Sequence, residues 1–139
     1  MTTARDLMTP GAECVAENET LVLAARKMRD LDVGALPICG EDNRLKGMLT
    51  DRDIVVKCLA EGGDPAQATA GSFGQGKPVT IGADDSIEEA LRTMEEHQVR
   101  RLPVIDGHDL VGMLAQADVV QAMPGRAGQT ISDISEPSR

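Results

Sequence analysis

Thr50 and Asp53 are the residues whose types and spacing best suit binding chemistry. They stand in Gly47-Met48-Leu49-Thr50-Asp51-Arg52-Asp53. Two apolar residues after the glycine read as the end of a buried strand, and Thr50 reads as the cap of a helix with apolar positions Ile54, Val55, Cys58 and Leu59. Unpaired N–H groups and the helix dipole at such a junction favour an anion. A carboxylate one turn in accepts from neutral hydroxyls such as a ribose diol. The plainer alternative is that both residues only cap the helix. A second version, Gly112-Met113-Leu114-Ala115-Gln116-Ala117-Asp118, keeps the glycine, Met-Leu and aspartate but has alanine for threonine. Asp118 retains a diol acceptor but Ala115 offers no hydroxyl, and binding is expected to be asymmetric.

Other chemistry-bearing residues form weaker patterns. His97 closes a helical stretch and His108 sits in a polar turn, neither with a Cys or His at i+3 or i+4. No intrachain metal site is expected, and the two histidines are the only candidates for a metal bridge between copies. Gly71-Ser72-Phe73-Gly74-Gln75-Gly76-Lys77 imitates a phosphate loop, but Pro78 stands where that motif needs Ser or Thr, and a strand-like Val79-Thr80-Ile81 follows. There is no nucleophile elbow, HExxH or paired His–Cys spacing, so catalysis is not expected.

The elements that must position Thr50 and Asp118 come from a tandem duplication. At an offset of 66, Thr20, Ala24, Met28, Val33 and Leu36-Pro37-Ile38 meet Ser86, Ala90, Met94, Val99 and Leu102-Pro103-Val104. After a one-residue deletion, Leu45, Gly47, Met48, Leu49 and Asp53 meet Leu110, Gly112, Met113, Leu114 and Asp118. Each copy reads β-α-β-β-α. Strands are expected at Cys14–Ala16, Leu36–Cys39 and Leu45–Leu49, and at Val79–Ile81, Leu102–Ile105 and Leu110–Leu114. Thr20 caps the first long helix, and Ser86 with Glu89 predicts a reciprocal capping box on the second. The sequence divides into repeat one (1–62), a linker (63–68), repeat two (69–124) and a polar tail (125–139). One repeat buries too little surface to stand alone. The expected fold is therefore mixed α/β (α+β), two repeats packed sheet to sheet about a pseudo-two-fold axis.

The composition narrows the function classes. Net charge is −9 and there is one Phe with no Trp or Tyr, so phosphate backbones are repelled and bases find no stacking platform. Nucleic acid is not an expected partner. No apolar run reaches the length of a membrane span and the N-terminus has no signal-type apolar region, so a cytoplasmic, non-membrane protein is expected.

The lead-in Asp6-Leu7-Met8-Thr9-Pro10, the strands Ala35-Leu36-Pro37-Ile38 and Arg101-Leu102-Pro103-Val104, and the Gly-Met-Leu-Thr-x-x-Asp junction together resemble a tandem pair of cystathionine-β-synthase (CBS) domains, the Bateman module. The resemblance covers roughly residues 3 to 123. Cys14, Leu36-Pro37-Ile38-Cys39-Gly40 and Glu95-Glu96-His97-Gln98-Val99-Arg100-Arg101 resemble stand-alone family members of the hypoxic response. The resemblance implies a regulatory sensor that binds an adenosine-type ligand (AMP, ADP, ATP or S-adenosylmethionine) in clefts between repeats. It assigns Thr50 to phosphate and Asp53 and Asp118 to ribose. Arg100 and Arg101 fall where the family places basic residues against phosphate, although they equally suit surface charges answering Glu95, Glu96 and Asp106. It also implies a homodimer that signals to a separate, unidentified protein. The competing reading is a structural or interaction protein in a hypoxia or stress response that has lost nucleotide binding, with Ala115 as its support.

Three further expectations concern packing. The strands carrying Cys14 and Cys39 should run side by side and parallel, a spacing that permits a disulfide. A reducing compartment would instead leave free thiols. Apolar stripes on the long helices (Leu21, Ala25, Met28 and Leu91, Met94) are expected to remain uncovered by the sheets and to serve pairing. Finally, Thr130–Pro137 echoes Thr3–Pro10 and suggests a docked tail.

Overall fold

A computed structural model of the protein describes residues 1–74 and 78–123. The tail, with its suggested docking, and residues 75–77 of the glycine-rich stretch lie outside the described residues. The chain forms two compact units that do not coincide with the two repeats. Among the described residues, one unit lies within 13–78, and the other joins residues 1–12 to residues 79–123.

In the unit of residues 13–78, β2 (Val15–Ala16), β3 (Ala35–Cys39) and β4 (Leu45–Thr50) form a sheet in that order. β2 runs parallel to β3, with Val15 facing Ile38, while β4 returns antiparallel, with Leu36 facing Leu49. α2 (Leu21–Leu31) links β2 to β3. Its first turn is capped by the Thr20 hydroxyl, which accepts from the Leu23 N–H, and Asp32 ends it in the left-handed conformation. Leu21, Ala24 and Met28, spaced for one helix face, bury against Leu36, Ile38 and Leu49. After β4 the chain is helical over 51–59, and Asp53–Leu59 is wound as a π-helix.

The second unit repeats this plan with an added strand. β5 (Ile81–Gly82) pairs parallel with β6 (Arg101–Asp106), and β7 (Asp109–Ala115) lies antiparallel to β6. α3 (Ile87–His97) buries Ile87, Ala90, Leu91 and Met94, and α4 (Gln116–Ala122) follows β7. The lead-in adds α1 (Ala4–Leu7) and β1 (Thr9–Pro10), the latter antiparallel to β7 at the sheet edge.

Each lead-in packs on the copy that it does not precede. The Ala4 and Arg5 N–H groups donate to the Asp85 and Ala83 carbonyls, both at 2.9 Å. At the same offset of 66, Ala70 and Gly71 donate to Glu19 and Glu17 at 2.8 and 2.9 Å. Ala4 and Ala70 are both fully buried. The glycine of each Gly-Met-Leu segment makes room for this crossing. A Cβ on Gly47 would stand 2.7 Å from the Gly74 carbonyl oxygen, and one on Gly112 would stand 2.6 Å from the Thr9 oxygen. The imitation phosphate loop is accounted for in part, since Ala70–Ser72 forms a 3-10 turn docked beside β2.

Two expectations change, and the expected disulfide is present. Leu21, Met28, Leu91 and Met94 are buried, because each sheet covers the helix stripe of its own copy, while Ala25 is exposed as expected. The apolar side chains left exposed in the first copy are instead Leu23 and Leu31 on α2 and Val55, Val56 and Leu59 on the π-helix. The capping box on α3 is half formed. The Glu89 N–H donates to the Ser86 hydroxyl at 3.1 Å, but the Glu89 carboxylate turns to Arg92. And Cys14 is bonded to Cys39, with Cα atoms 5.9 Å apart, while Cys58 is a free, buried thiol.

Candidate functional site

β4 delivers Thr50 at its last position, opposite Ala35 of β3. The chain then turns helical, which brings Asp53 back over Thr50. The Asp53 N–H donates to Thr50 Oγ1 at 3.0 Å and the Thr50 N–H donates to Asp53 Oδ2 at 2.9 Å, a reciprocal box. The Asp51 N–H donates to the Gly34 carbonyl at 2.9 Å, and the Arg52 N–H to Asp51 Oδ1 at 2.8 Å. The expected free N–H groups are therefore absent from 50 to 53: side-chain caps and the Gly34 carbonyl just before β3 have taken all four. What this turn can still offer a ligand is the Thr50 hydroxyl proton and the outer face of Asp53. That face meets a cation, since Lys57 Nζ stands 3.2 Å from Asp53 Oδ1. The Asp53 side chain is 17% exposed and that of Lys57 61%. Lys57 carries no motif and was not among the residues singled out from sequence. Its signal was the i,i+4 spacing from Asp53 on a helix.

The second junction has the same frame and different chemistry. β7 delivers Ala115 opposite Arg101 of β6, and the Gln116 N–H donates to the Arg100 carbonyl at 2.7 Å. Asp118, half-buried in the first turn of α4, has no side-chain hydrogen bond or ion pair among the described residues. Ala122 occupies the position that Lys57 holds in the first copy. Arg100 and Arg101 are exposed and lie beside this junction, so positive side chains flank the copy that lacks the hydroxyl. The fold thus brings Thr50, Asp53 and Lys57 together, and separately Arg100, Arg101, Ala115 and Asp118.

His97 closes α3 and His108 lies in the β6–β7 turn, both exposed. Among the described residues no group of three or more His, Cys, Asp and Glu is placed to hold a metal ion. No helix among them is long and apolar enough to cross a membrane.

Known proteins share this arrangement. Hypoxic response protein 1 of Mycobacterium tuberculosis is 57% identical over 127 residues, covering 91% of this chain and 89% of its own. The crystal structure of Hypoxic Response Protein I with two coordinated zinc ions superposes with a TM-score of 0.81 at 57% identity, over 86% of this chain and 98% of that one. More distant chains share the fold. CBSX2 in complex with AMP gives a TM-score of 0.76 at 24% identity, over 90% of this chain and 98% of its own. The CBS domain pair of MJ0100, in complex with 5-methylthioadenosine and S-adenosyl-L-methionine, gives 0.75 at 22% identity, over 91% and 98%. The CBS domain profile itself matches residues 4–59 and 71–125. With both copies matched and the junctions repeated in three dimensions, the chain belongs to the CBS domain family as a tandem pair.

Proposed function

We propose that this CBS pair is a non-enzymatic regulatory module that binds an adenosine-type ligand and passes the binding state to a separate protein. The observation that carries this reading is the paired placement of Asp53 and Asp118, each in the first turn of the helix that follows the last strand of its copy, where a carboxylate can accept from a ribose diol. Thr50 adds a hydroxyl for phosphate in the first copy, and Arg100 and Arg101 add positive charge beside the second. The AMP, 5-methylthioadenosine and S-adenosylmethionine held by two proteins of this fold have only adenosine in common, which fits recognition through ribose. The module acts as a homodimer in the cytoplasm, in a stress response like that named for the mycobacterial relative.

Thermal shift with AMP, ADP, ATP, S-adenosylmethionine and NAD tests it. A ligand at about 100 times its Kd adds roughly 2.7 kcal/mol to the native state and must raise Tm. Stabilisation of the native chain, reduced in Asp53→Ala, supports the reading. No shift with any of the five favours the alternative of a structural or interaction protein, for which the occupied N–H groups at 50–53 are the specific support.

A further inference from the structure

Both oxygens of the Asp53 carboxylate are engaged, Oδ2 by the Thr50 N–H at 2.9 Å and Oδ1 by Lys57 Nζ at 3.2 Å. Four successive backbone N–H groups at this turn have partners within the chain. An anion arriving at Thr50 therefore meets one hydroxyl, and the cation placed against the same aspartate is Lys57. The remaining charges on the turn are Asp51, which accepts from the Arg52 N–H, and Arg52, whose side chain is exposed. A neutral diol reaching Oδ1 would have to displace an ammonium, exchanging an ion-pair contact for hydrogen bonds from uncharged hydroxyls. A ligand that also carries phosphate gives Nζ a replacement anion in the same step and frees Oδ1 for the hydroxyls.

We infer that Lys57 is a specificity-determining residue of the first-copy site, admitting phosphorylated nucleosides and rejecting neutral ones. This rests on the proposed adenosine-binding reading and adds a selection rule to it. The rule belongs to one copy only, because Ala122 replaces the lysine in the second and the Asp118 carboxylate is unengaged among the described residues.

Calorimetric titration with AMP and with adenosine tests the rule. It is done in the Asp118→Ala background, which removes the second diol acceptor, with Lys57 native, Lys57→Gln or Lys57→Arg. Lys57→Gln is expected to weaken AMP by about tenfold or more, the scale of a lost hydrogen bond to a charged group. Adenosine should tighten by roughly two- to fivefold as the exposed ion pair is removed. Lys57→Arg keeps the cation and should keep the preference for AMP. If Lys57→Gln moves both ligands by the same factor, or neither, while AMP still binds, the selection rule is wrong and the adenosine reading stands. If neither ligand binds the native chain or any variant, the adenosine reading is wrong and the rule falls with it.

Discussion

At the scale of single residues, Thr50 and Asp53 carry a double load. They close the reciprocal box that starts a helix, and the same two side chains are the proposed contacts to a nucleotide. Asp53→Ala is expected to weaken a phosphorylated ligand by tenfold or more and to cost about 1 kcal/mol of stability as a lost cap. Asp118→Ala, with no such bond to lose among the described residues, should leave Tm nearly unchanged and weaken that ligand less. Paired titrations and melts of the two variants check this, and equal losses in binding would remove the asymmetry. Glu19 supplies a second residue-scale prediction. Its carboxylate is held below the usual range, first by the Ala16 N–H at 2.8 Å and then by Lys27 at 3.3 Å, against partial burial. A depressed carboxylate stabilises the fold above its unfolded pKa, and that contribution is lost as pH falls through the folded value. Glu19→Gln should therefore lower stability at neutral pH, and its denaturant midpoint should vary less than the native one as pH falls below about 4.5.

At the scale of elements, β2 is only two residues long, and several contacts outside its ladder hold it. Lys27 Nζ donates to the Cys14 carbonyl at 2.8 Å, Glu19 takes the Ala16 N–H, and the Cys14–Cys39 bond ties the start of β2 to the end of β3. The equivalent β5 manages with Thr80 and Ile105 at the cysteine positions, so the bond adds stability to a strand pairing that forms without it. It closes a loop with a sequence separation of 25. Cys14→Ser with Cys39→Ser should cost on the order of 3 kcal/mol. The denatured, unreduced chain should titrate one thiol, that of Cys58; three would show the bond unformed. Gly47→Ala offers a separate element-scale test. Its Cβ would meet backbone rather than a movable side chain, so the residue 70–74 lead-in must shift, at about 1–3 kcal/mol by chemical denaturation.

At the scale of the whole molecule, the first-copy unit exposes Leu23, Leu31, Val55, Val56 and Leu59 on α2 and the π-helix. A groove lined by Leu21, Val22, Ala25, Ile54, Leu59 and Pro65, with Arg26 and Arg29 beside them, continues the same face. Pairing of two chains over this face is the expected source of the proposed homodimer. Sedimentation at micromolar concentration should show dimer, and Val55→Asp with Leu59→Glu should shift it toward monomer. Monomer alone in the native chain would count against pairing.

The sequence by itself determined the duplication, the β-α-β-β-α order and the junctions at Thr50 and Ala115, because apolar spacing, caps and turn residues act over a few neighbours. Leu36-Pro37-Ile38 and Leu102-Pro103-Val104 were legible as strands for that reason. It also made a Cys14–Cys39 bond geometrically reasonable, but whether two thiols share a level and a face is a matter of register. What only the tertiary structure decided lies in long-range contacts. The lead-ins at Ala4 and Ala70 cross to the other copy through backbone hydrogen bonds that leave no side-chain pattern. Leu21 and Leu91 are buried, not exposed, because burial depends on what packs over a stripe and a helical period reports only that a stripe exists. The start of a helix by itself implies open N–H groups at residues 50–53. Gly34 closes one of them across the sheet, and Asp53 itself turns back to close another.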